Sequence, residues 1–589
     1  MYFGDDKLTW KENYQKWINE IDCLVPYLKK ELINMKNDIS KIKNNFTNPL
    51  SFGTAGMRGI MGPGIHNMNI YTVGQATEGL ARFIDNLTEN EKEMGVVISY
   101  DSRYHSREFA YESARILGYH NIHVYLFDDI RPTPELSFAV RYLKAFVGIM
   151  ITASHNPKEY NGYKLYGSDG GQITPKDCKE IVTYIHQVDN IFSIPKNDIE
   201  YLRGKNLLSI IGMDIDNEYL RNINNISINK KLLEQKGSNI SLIYTPLYGT
   251  GKIIGLRALK NLKLQNVSIV EKQAIADPEF PDVHYPNPEY HESFANAMIL
   301  GNKRNADILL ATDVDSDRLG VAVLDHDKKY RFLTGNQIAV IMLNYILDNL
   351  YKNSELPNNG VIIKSIVSTD LASKVADSYG VKTIEVETGF KYIADKIKQY
   401  EYNHKHTFLF GFEESYGFLI KPFVRDKDAI QGITLISEIA LYYKEKGKNL
   451  LDVLNDIYKS YGYFYEKTIS LNINDSNFLN KIDMIMNHCR NMYQKSFANY
   501  RVMSIEDLQA QTITFLEDGH TIDVDLPESN VLKYKLEDGS WIAIRPSGTE
   551  PKLKIYISTN SSSYDECMKK IDAISNDFLA FIKDDSNKL

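Results

Sequence analysis

Cysteine is scarce in this chain. Cys23, Cys178, Cys489 and Cys567 are scattered through 589 positions. They form no metal-type spacing, and so wide a scatter excludes a disulfide framework and points to a reducing compartment. Long apolar runs are also missing, since nothing approaches the roughly 20 residues that a membrane helix needs. There is no basic excess either: the formal charge is -8, which offers no field for nucleic acid. The first residues, Met1-Tyr2-Phe3-Gly4-Asp5-Asp6-Lys7, are acidic without an apolar segment, so no signal peptide is expected. These absences predict a soluble cytoplasmic protein with neither membrane nor nucleic acid as partner. What remains is ordinary globular composition at a length too great for one core, and roughly three to five domains are expected.

From Leu8 to about Asn45 the pattern is helical. Trp10, Tyr14, Trp17, Ile18, Ile21, Leu24 and Leu28 recur at helix spacing among charges, which predicts a packing helix ahead of the first sheet. After Phe52, short apolar runs alternate with amphipathic helices. Val96–Tyr100, Ile122–Phe127 and Phe146–Ile151 read as strands, and Thr174-Pro175 as a helix start. The texture recurs at Leu242–Tyr244, Val267–Val270 and Ile308–Ala311, then at Val361–Ile363, Thr383–Val386 and Phe408–Phe410. Alternating strands and helices predict mostly parallel α/β sheets, with ligands at the carboxyl ends of the strands. The last ~130 residues differ. Strands at Phe464–Ile469, Trp541–Ile544 and Leu553–Ile557 and a closing helix, Tyr564–Ile582, predict a smaller α+β domain. The stretch Asn222–Asn239, rich in Asn and Lys, is expected at the surface.

Four loops carry chemistry that suits a phosphorylated sugar. The first is Thr152-Ala153-Ser154-His155-Asn156-Pro157. A serine needs a base or a metal to become a nucleophile, and His155 is its neighbour, although adjacent residues often point apart. Simple turn chemistry at Asn156-Pro157 is the plain alternative. The second is Asp313-Val314-Asp315-Ser316-Asp317-Arg318, whose alternating carboxylates can surround one hard cation. An EF-hand fails here, because the sixth position is Arg318 rather than glycine and the twelfth is Leu324 rather than glutamate. Three carboxylates without further protein ligands leave coordination positions open, which suits Mg²⁺. A dehalogenase-type aspartate nucleophile would sit near the start of its α/β core, whereas this loop lies mid-chain after a better nucleophile. The third is Gly411–Gly417. Glu413 and Ser415 stand two apart in a segment read as extended, so both can face vicinal sugar hydroxyls, with Glu414 pointing away as a structural residue. The fourth is Arg545-Pro546-Ser547-Gly548-Thr549, where arginine, two hydroxyls and a glycine have the makings of a phosphate clamp, with Lys554 as added charge. An ordinary hairpin turn is the alternative. Arg58 in a glycine-rich stretch, Lys164 and Lys427 would each be read alone as solvated cations.

Together and in this order, from about Leu50 to about Tyr556, these loops resemble the alpha-D-phosphohexomutase superfamily. The resemblance implies three related α/β/α sandwich domains with mixed, mostly parallel sheets and a smaller C-terminal α+β domain, around one central cleft. The expected boundaries are 1–205, 206–327, 328–460 and 461–589. It implies that Ser154 carries a phosphoryl group in the resting enzyme and, with Asp313, Asp315 and Asp317, holds Mg²⁺. Arg58 and Lys164 match positions implicated in proton transfer or charge stabilisation, Lys427 matches a lysine that lines the sugar site, and these three together with His155 are the candidates for the group that takes the sugar hydroxyl's proton. Arg318, Thr388, Gly389, Glu413, Ser415, Lys427, Arg545, Ser547, Gly548 and Thr549 match substrate contacts. Glucose 1,6-bisphosphate is implied as activator and intermediate, and a monomer or weak dimer is expected.

Within the superfamily, Tyr416-Gly417 stands where phosphomannomutase and phosphoglucosamine mutase types carry glycine-histidine. The stretch Gly411–Asp428 looks like the longer branch that acts on glucose or pentose phosphates. Ser415 keeps a hydroxyl for a hexose, and Thr388-Gly389-Phe390-Lys391 resembles a glucose-type loop. The expectation is therefore interconversion of glucose 1-phosphate and glucose 6-phosphate. Phosphopentose mutation and glucose-1,6-bisphosphate synthesis are the alternatives, and a non-catalytic binding paralogue is the remote one. A phosphoserine hydrolase would leave the separate clamp without purpose.

Overall fold

The computed structural model describes residues 9–53, 56–473, 478–491, 494–546 and 552–583. By internal contacts the chain divides into two units. One comprises Met1–Gly335, Phe390–Phe410 and Ser415–Asn449, and the other Asn336–Gly389, Gly411–Glu414 and Leu450–Leu589.

The N-terminal helical pattern of the first unit forms three short helices, Trp10–Asn19, Pro26–Asn34 and Ile39–Phe46, where one was expected. The breaks are chemical. Pro26 occupies the first turn of the second helix, where a missing N–H costs nothing, and the Asp38 side chain accepts the Lys41 N–H to start the third. Trp17, Leu28 and Phe46 then bury together against Ile70, Tyr71 and Phe192, which is the packing role the periodicity predicts.

Two mixed sheets follow in this unit. The first orders its strands Gly56–Ile60, Tyr160–Gly167, Val147–Ile151, Val96–Tyr100, Val124–Phe127 and Leu208–Ile211. Its centre is parallel and every residue of Val96–Tyr100 and Val147–Ile151 is buried, as strands covered on both faces require. The second orders Tyr330–Leu333, Leu319–Leu324, Ile308–Thr312, Ser241–Thr245 and Asn266–Ile269. In both sheets the strand that ends in a candidate loop is answered by an antiparallel return. Val147–Ile151 pairs with Tyr160–Gly167, and Ile308–Thr312 with Leu319–Leu324. The serine and aspartate loops are therefore hairpin connections, not strand-to-helix crossings. The Asn222–Asn239 stretch is mostly exposed, but Ser227, Ile228 and Asn229 donate to the buried Glu438 carboxylate, which ties it down.

In the second unit, Gly360–Ser365 pairs in parallel with Lys382–Val386. The C-terminal part is an antiparallel sheet in the order Tyr463–Asn472, Lys552–Ser561, Trp541–Pro546, Leu532–Leu536, Tyr500–Asp507, Thr512–Phe515 and Thr521–Asp523. Helix Tyr564–Lys583 covers it, burying Phe578 and Ile571 against Ile542, Ile544 and Ile555.

Candidate active site

The hairpin at 152–159 turns tightly. Ser154 adopts a left-handed backbone with φ 53°, an unusual state for a residue with a β-carbon. The Ser154 N–H donates to the Thr152 hydroxyl at 2.8 Å, which seats the turn. Its hydroxyl donates to Asp313 Oδ2 at 2.8 Å, and His155 Nδ1 lies 3.3 Å from Ser154 Oγ. A serine hydroxyl has one proton. With it directed to Asp313, the His155 contact requires a protonated Nδ1 as donor. Arg58, on the strand antiparallel to Tyr160–Gly167, donates from Nη1 to Asn156 Oδ1 at 2.9 Å.

The aspartate loop gives each of its carboxylates a polar partner. Asp313 Oδ1 accepts the backbone N–H groups of Asp317 and Arg318, both at 3.1 Å, which closes the turn. Asp315 Oδ2 accepts from Lys164 Nζ and from the Thr133 hydroxyl, both at 2.9 Å. Asp317 Oδ2 lies 3.1 Å from Lys427 Nζ, which also reaches Asp426 at 3.0 Å. Arg318 lies 3.7 Å from Glu289. Ser316, with φ 57°, takes the left-handed turn at the tip.

This loop fits a divalent cation. One oxygen from each of Asp313, Asp315 and Asp317 lies within 4.8 Å of the others, the one such His/Cys/Asp/Glu group among the described residues. Asp315 Oδ1 and Asp317 Oδ1 are buried and accept no hydrogen bond. Burial, then the neighbouring Asp315 and Asp317 charges, pushes the Asp313 carboxyl well above the usual carboxylate range. Burial and Asp315 likewise push Asp317 up. For Asp315, burial is outweighed by Lys164, Thr133 and Lys427, which hold it well below that range. Like charges packed where water does not reach become stable anions when a cation sits among them.

The second unit carries the remaining described positions. Glu413 ends strand Thr407–Glu413, and Oε1 accepts the Gly389 N–H at 2.7 Å. The Thr388 hydroxyl beside it is buried with no hydrogen-bond partner. Glu414 accepts from the Ser365 hydroxyl at 3.0 Å and its N–H donates to Ser368 Oγ at 3.1 Å, in keeping with a structural role. Arg545 Nε and Nη2 donate to the Tyr556 hydroxyl at 3.3 and 3.1 Å, and Lys554 is its cross-strand partner. Ser547, Gly548 and Thr549 lie outside the described residues.

One expectation requires correction. The extended segment read across 413–415 stops at Glu413, because Glu414, Ser415 and Tyr416 form a turn, with Tyr416 at φ 67°. Strand alternation therefore does not carry Glu413 and Ser415 to one face. Gly417 follows because the Lys427 side chain passes directly over it: a β-carbon there would stand 2.1 Å from Lys427 Cδ.

Sequence reasoning missed the residues that hold the loops. Thr133 braces Asp315 with its hydroxyl, and its N–H donates to the Asp315 carbonyl at 2.9 Å. Thr250 donates from N–H and hydroxyl to the Val314 carbonyl, and Gly249 is needed there, since a β-carbon would sit 2.3 Å from that carbonyl oxygen. The available signals were Thr133-Pro134-Glu135, a helix start like Thr174-Pro175, and the glycine-bearing Tyr248-Gly249-Thr250-Gly251 after a strand.

Four family profiles match the chain in order. They are the phosphoglucomutase/phosphomannomutase alpha/beta/alpha domains I, II and III, at 49–191, 217–326 and 334–461, and the C-terminal domain at 494–571. A phosphoglucomutase of Staphylococcus aureus strain MRSA252 is 39% identical over 564 residues, covering 95% of this chain and 97% of that protein. A phosphoglucomutase of Staphylococcus epidermidis is 38% identical over 559 residues, covering 95% and 99%. Among solved structures, parafusin, a phosphoglucomutase from Paramecium in its open form, aligns with a TM-score of 0.66 at 16% identity, covering 91% of this chain and 95% of that one. A phosphoglucomutase/phosphomannomutase family protein from Burkholderia thailandensis aligns with a TM-score of 0.62 at 18% identity, covering 90% and 96%. At these identities the two structures speak for the fold.

Proposed function

This chain belongs to the phosphoglucomutase/phosphomannomutase family, and we propose that it is a phosphoglucomutase working through a phosphorylated Ser154. The observation that carries the reading is the 2.8 Å hydrogen bond from Ser154 to a three-carboxylate cluster. A nucleophile and a cation site are thereby brought to one point. Glucose as substrate is supported by the name that relatives 38–39% identical over nearly the whole chain carry. We read the domains as 1–205, 206–327, 328–460 and 461–589.

Phospho-Ser154 transfers its phosphoryl group to O6 of glucose 1-phosphate; O6 gives up its proton, and the leaving serine oxygen takes one up to end as the free hydroxyl beside glucose 1,6-bisphosphate. The bisphosphate turns over. Its C1 phosphoryl group passes to the Ser154 oxygen, and glucose 6-phosphate departs. Asp313, Asp315 and Asp317 would hold Mg²⁺, which when bound supplies positive charge against the phosphoryl oxygens. Lys164 and Lys427 fix two of these carboxylates and lend them charge, while Arg58 steadies the nucleophile loop through Asn156. His155, donating from Nδ1, supports the serine oxygen as it gains negative charge, a role that differs from that of its base. Glu413 with Gly389 and Thr388, and Ser415 and Arg318, contact the sugar and its phosphates. Arg545 with Ser547, Gly548 and Thr549 grips the phosphate that is not being transferred, by bidentate donation. Transfer without release explains why a separate clamp is needed.

A coupled assay of the purified chain with Mg²⁺ and catalytic glucose 1,6-bisphosphate tests this, using glucose 1-phosphate, ribose 1-phosphate and mannose 1-phosphate. Turnover highest on glucose 1-phosphate is expected. Preference for ribose 1-phosphate, or net accumulation of bisphosphate, would replace the reading with one of its alternatives.

A further inference from the structure

The loop that carries Ser154 is built around a side chain outside the catalytic set. Arg103 is fully buried, and its guanidinium spends four hydrogen bonds on backbone carbonyls of that one loop. Nη2 donates to the Ser154 carbonyl at 2.6 Å and to that of Asn156, and Nη1 donates to Pro157 at 2.8 Å and Tyr160 at 3.1 Å. The Ser154 and Asn156 carbonyls lie in the coil between two antiparallel strands, where no strand ladder runs, whereas Pro157 also accepts the Tyr160 N–H and Tyr160 opens the returning strand. Left unmet in a buried turn, the Ser154 and Asn156 carbonyls would oppose it.

The guanidinium is itself held on its other sides. Its Nε lies 3.3 Å from Asp101 Oδ2. Asp101 Oδ1 accepts the Arg103 N–H at 2.9 Å and the Ser106 hydroxyl at 2.7 Å, which locks the carboxylate. The Phe280 ring roofs the guanidinium at 5.1 Å and is packed with Val314, which lies between Asp313 and Asp315. Glu279, next to Phe280, takes the Tyr104 hydroxyl and Lys158 Nζ at 2.5 and 2.6 Å. The roof is thus fastened to both chain segments that it covers.

We infer that Arg103 is a positioning residue for phosphoryl transfer: braced by Asp101 and Phe280, it holds the Ser154 loop in its left-handed turn and in register with the aspartate loop. Its catalytic consequence rests on Ser154 being the phosphate carrier. A serine at φ 53° persists only where its surroundings over-determine it, and four carbonyl bonds from one rigid fork do that. Lysine has a single donor centre and cannot span four acceptors spread over seven residues. A displacement of the oxygen by about 1 Å costs about 100-fold in rate.

The test compares full-length Arg103→Lys and Arg103→Ala with wild type by hydrogen–deuterium exchange, by kcat and KM for glucose 1-phosphate, and by added guanidinium. Exchange of amides 154–160 should quicken by about tenfold or more while the central strands stay protected. In Arg103→Lys, kcat should fall about 100-fold with KM changed less than about threefold, and millimolar guanidinium should restore part of the Arg103→Ala activity. Wild-type exchange in the loop of both variants, or loss of cooperative folding in both, would overturn the inference. Should the wild type carry no phosphate on Ser154 while Arg103→Lys still loosens the loop, the mutase reading falls and the hold of Arg103 on the loop stands.

Discussion

Ser154 and Asp313 stand 159 positions apart, and the hydroxyl of the first donates to Oδ2 of the second at 2.8 Å. Each lies in the connection of its own hairpin, the two hairpins belonging to different sheets. The nucleophile and the proposed cation site thus depend on each other's placement; three tests bear on the proposed chemistry and a fourth on the stability of the fold.

Ser154→Ala should abolish mutase turnover and leave the fold intact, since the side chain's one strong contact is to Asp313. Intact-mass measurement of the wild type should show a phosphorylated fraction mapping to Ser154. Turnover near the wild-type rate in the alanine variant would remove Ser154 from the mechanism.

Asp315→Asn should weaken Mg²⁺ binding by about 10- to 100-fold and slow transfer. The amide keeps the shape but removes one anionic ligand and strips Lys164 of its partner at 2.9 Å. Calorimetric titration with Mg²⁺ checks it, and superimposable curves for variant and wild type would reduce the aspartates to a structural loop.

Arg545→Ala should raise KM for either glucose monophosphate by about 10- to 100-fold, the worth of charged hydrogen bonds to phosphate. It should also let glucose 1,6-bisphosphate escape, so that turnover stalls unless bisphosphate is supplied. Tyr556→Phe, which removes only the hydroxyl that Arg545 contacts, should have a smaller effect of the same kind. An unchanged KM with no measurable bisphosphate release would exclude Arg545 from substrate binding.

His120→Gln should lower stability in a way that fades as pH rises. His120 bridges two carboxylates, with Nε2 at 3.0 Å from Glu78 and Nδ1 against Asp85. Burial opposes its protonation, but Glu78 and Asp85 outweigh that and raise its pKa. A raised histidine pKa gives stability that is fully present below its ordinary value of about 6.5 and lost as pH climbs through the folded one. The difference in unfolding free energy should therefore be about 1 kcal/mol at pH 6, after allowing for partial exposure, and shrink steadily upward. Below pH 5 the lowered pKa values of Glu78 and Asp85 enter with the opposite sign, so the comparison belongs above it. A gap that stays constant from pH 6 to pH 9 would show that the imidazolium contributes nothing.

Much of this protein is determined locally and can be read in one dimension. Continuous apolar runs such as Val147–Ile151 mark strands buried on both faces, Thr174-Pro175 marks a helix start, and the alternation of Asp313, Asp315 and Asp317 marks a hard-cation loop. Those signals depend only on neighbours in the chain. The length of the N-terminal helix was misjudged because periodicity extends across Pro26 and Asp38, where capping chemistry restarts the helix. The extended reading of 413–415 failed because a left-handed Tyr416 has no reliable mark in sequence. What only the tertiary structure decided is partnership at long range. Nothing near Arg103 in the chain says that its donors face Ser154, Asn156, Pro157 and Tyr160. Nothing near Thr133 or Lys164 points to Asp315. Such pairs form because sheet order folds distant loops onto one another, and burial then forces each polar group to find the partner that water no longer supplies.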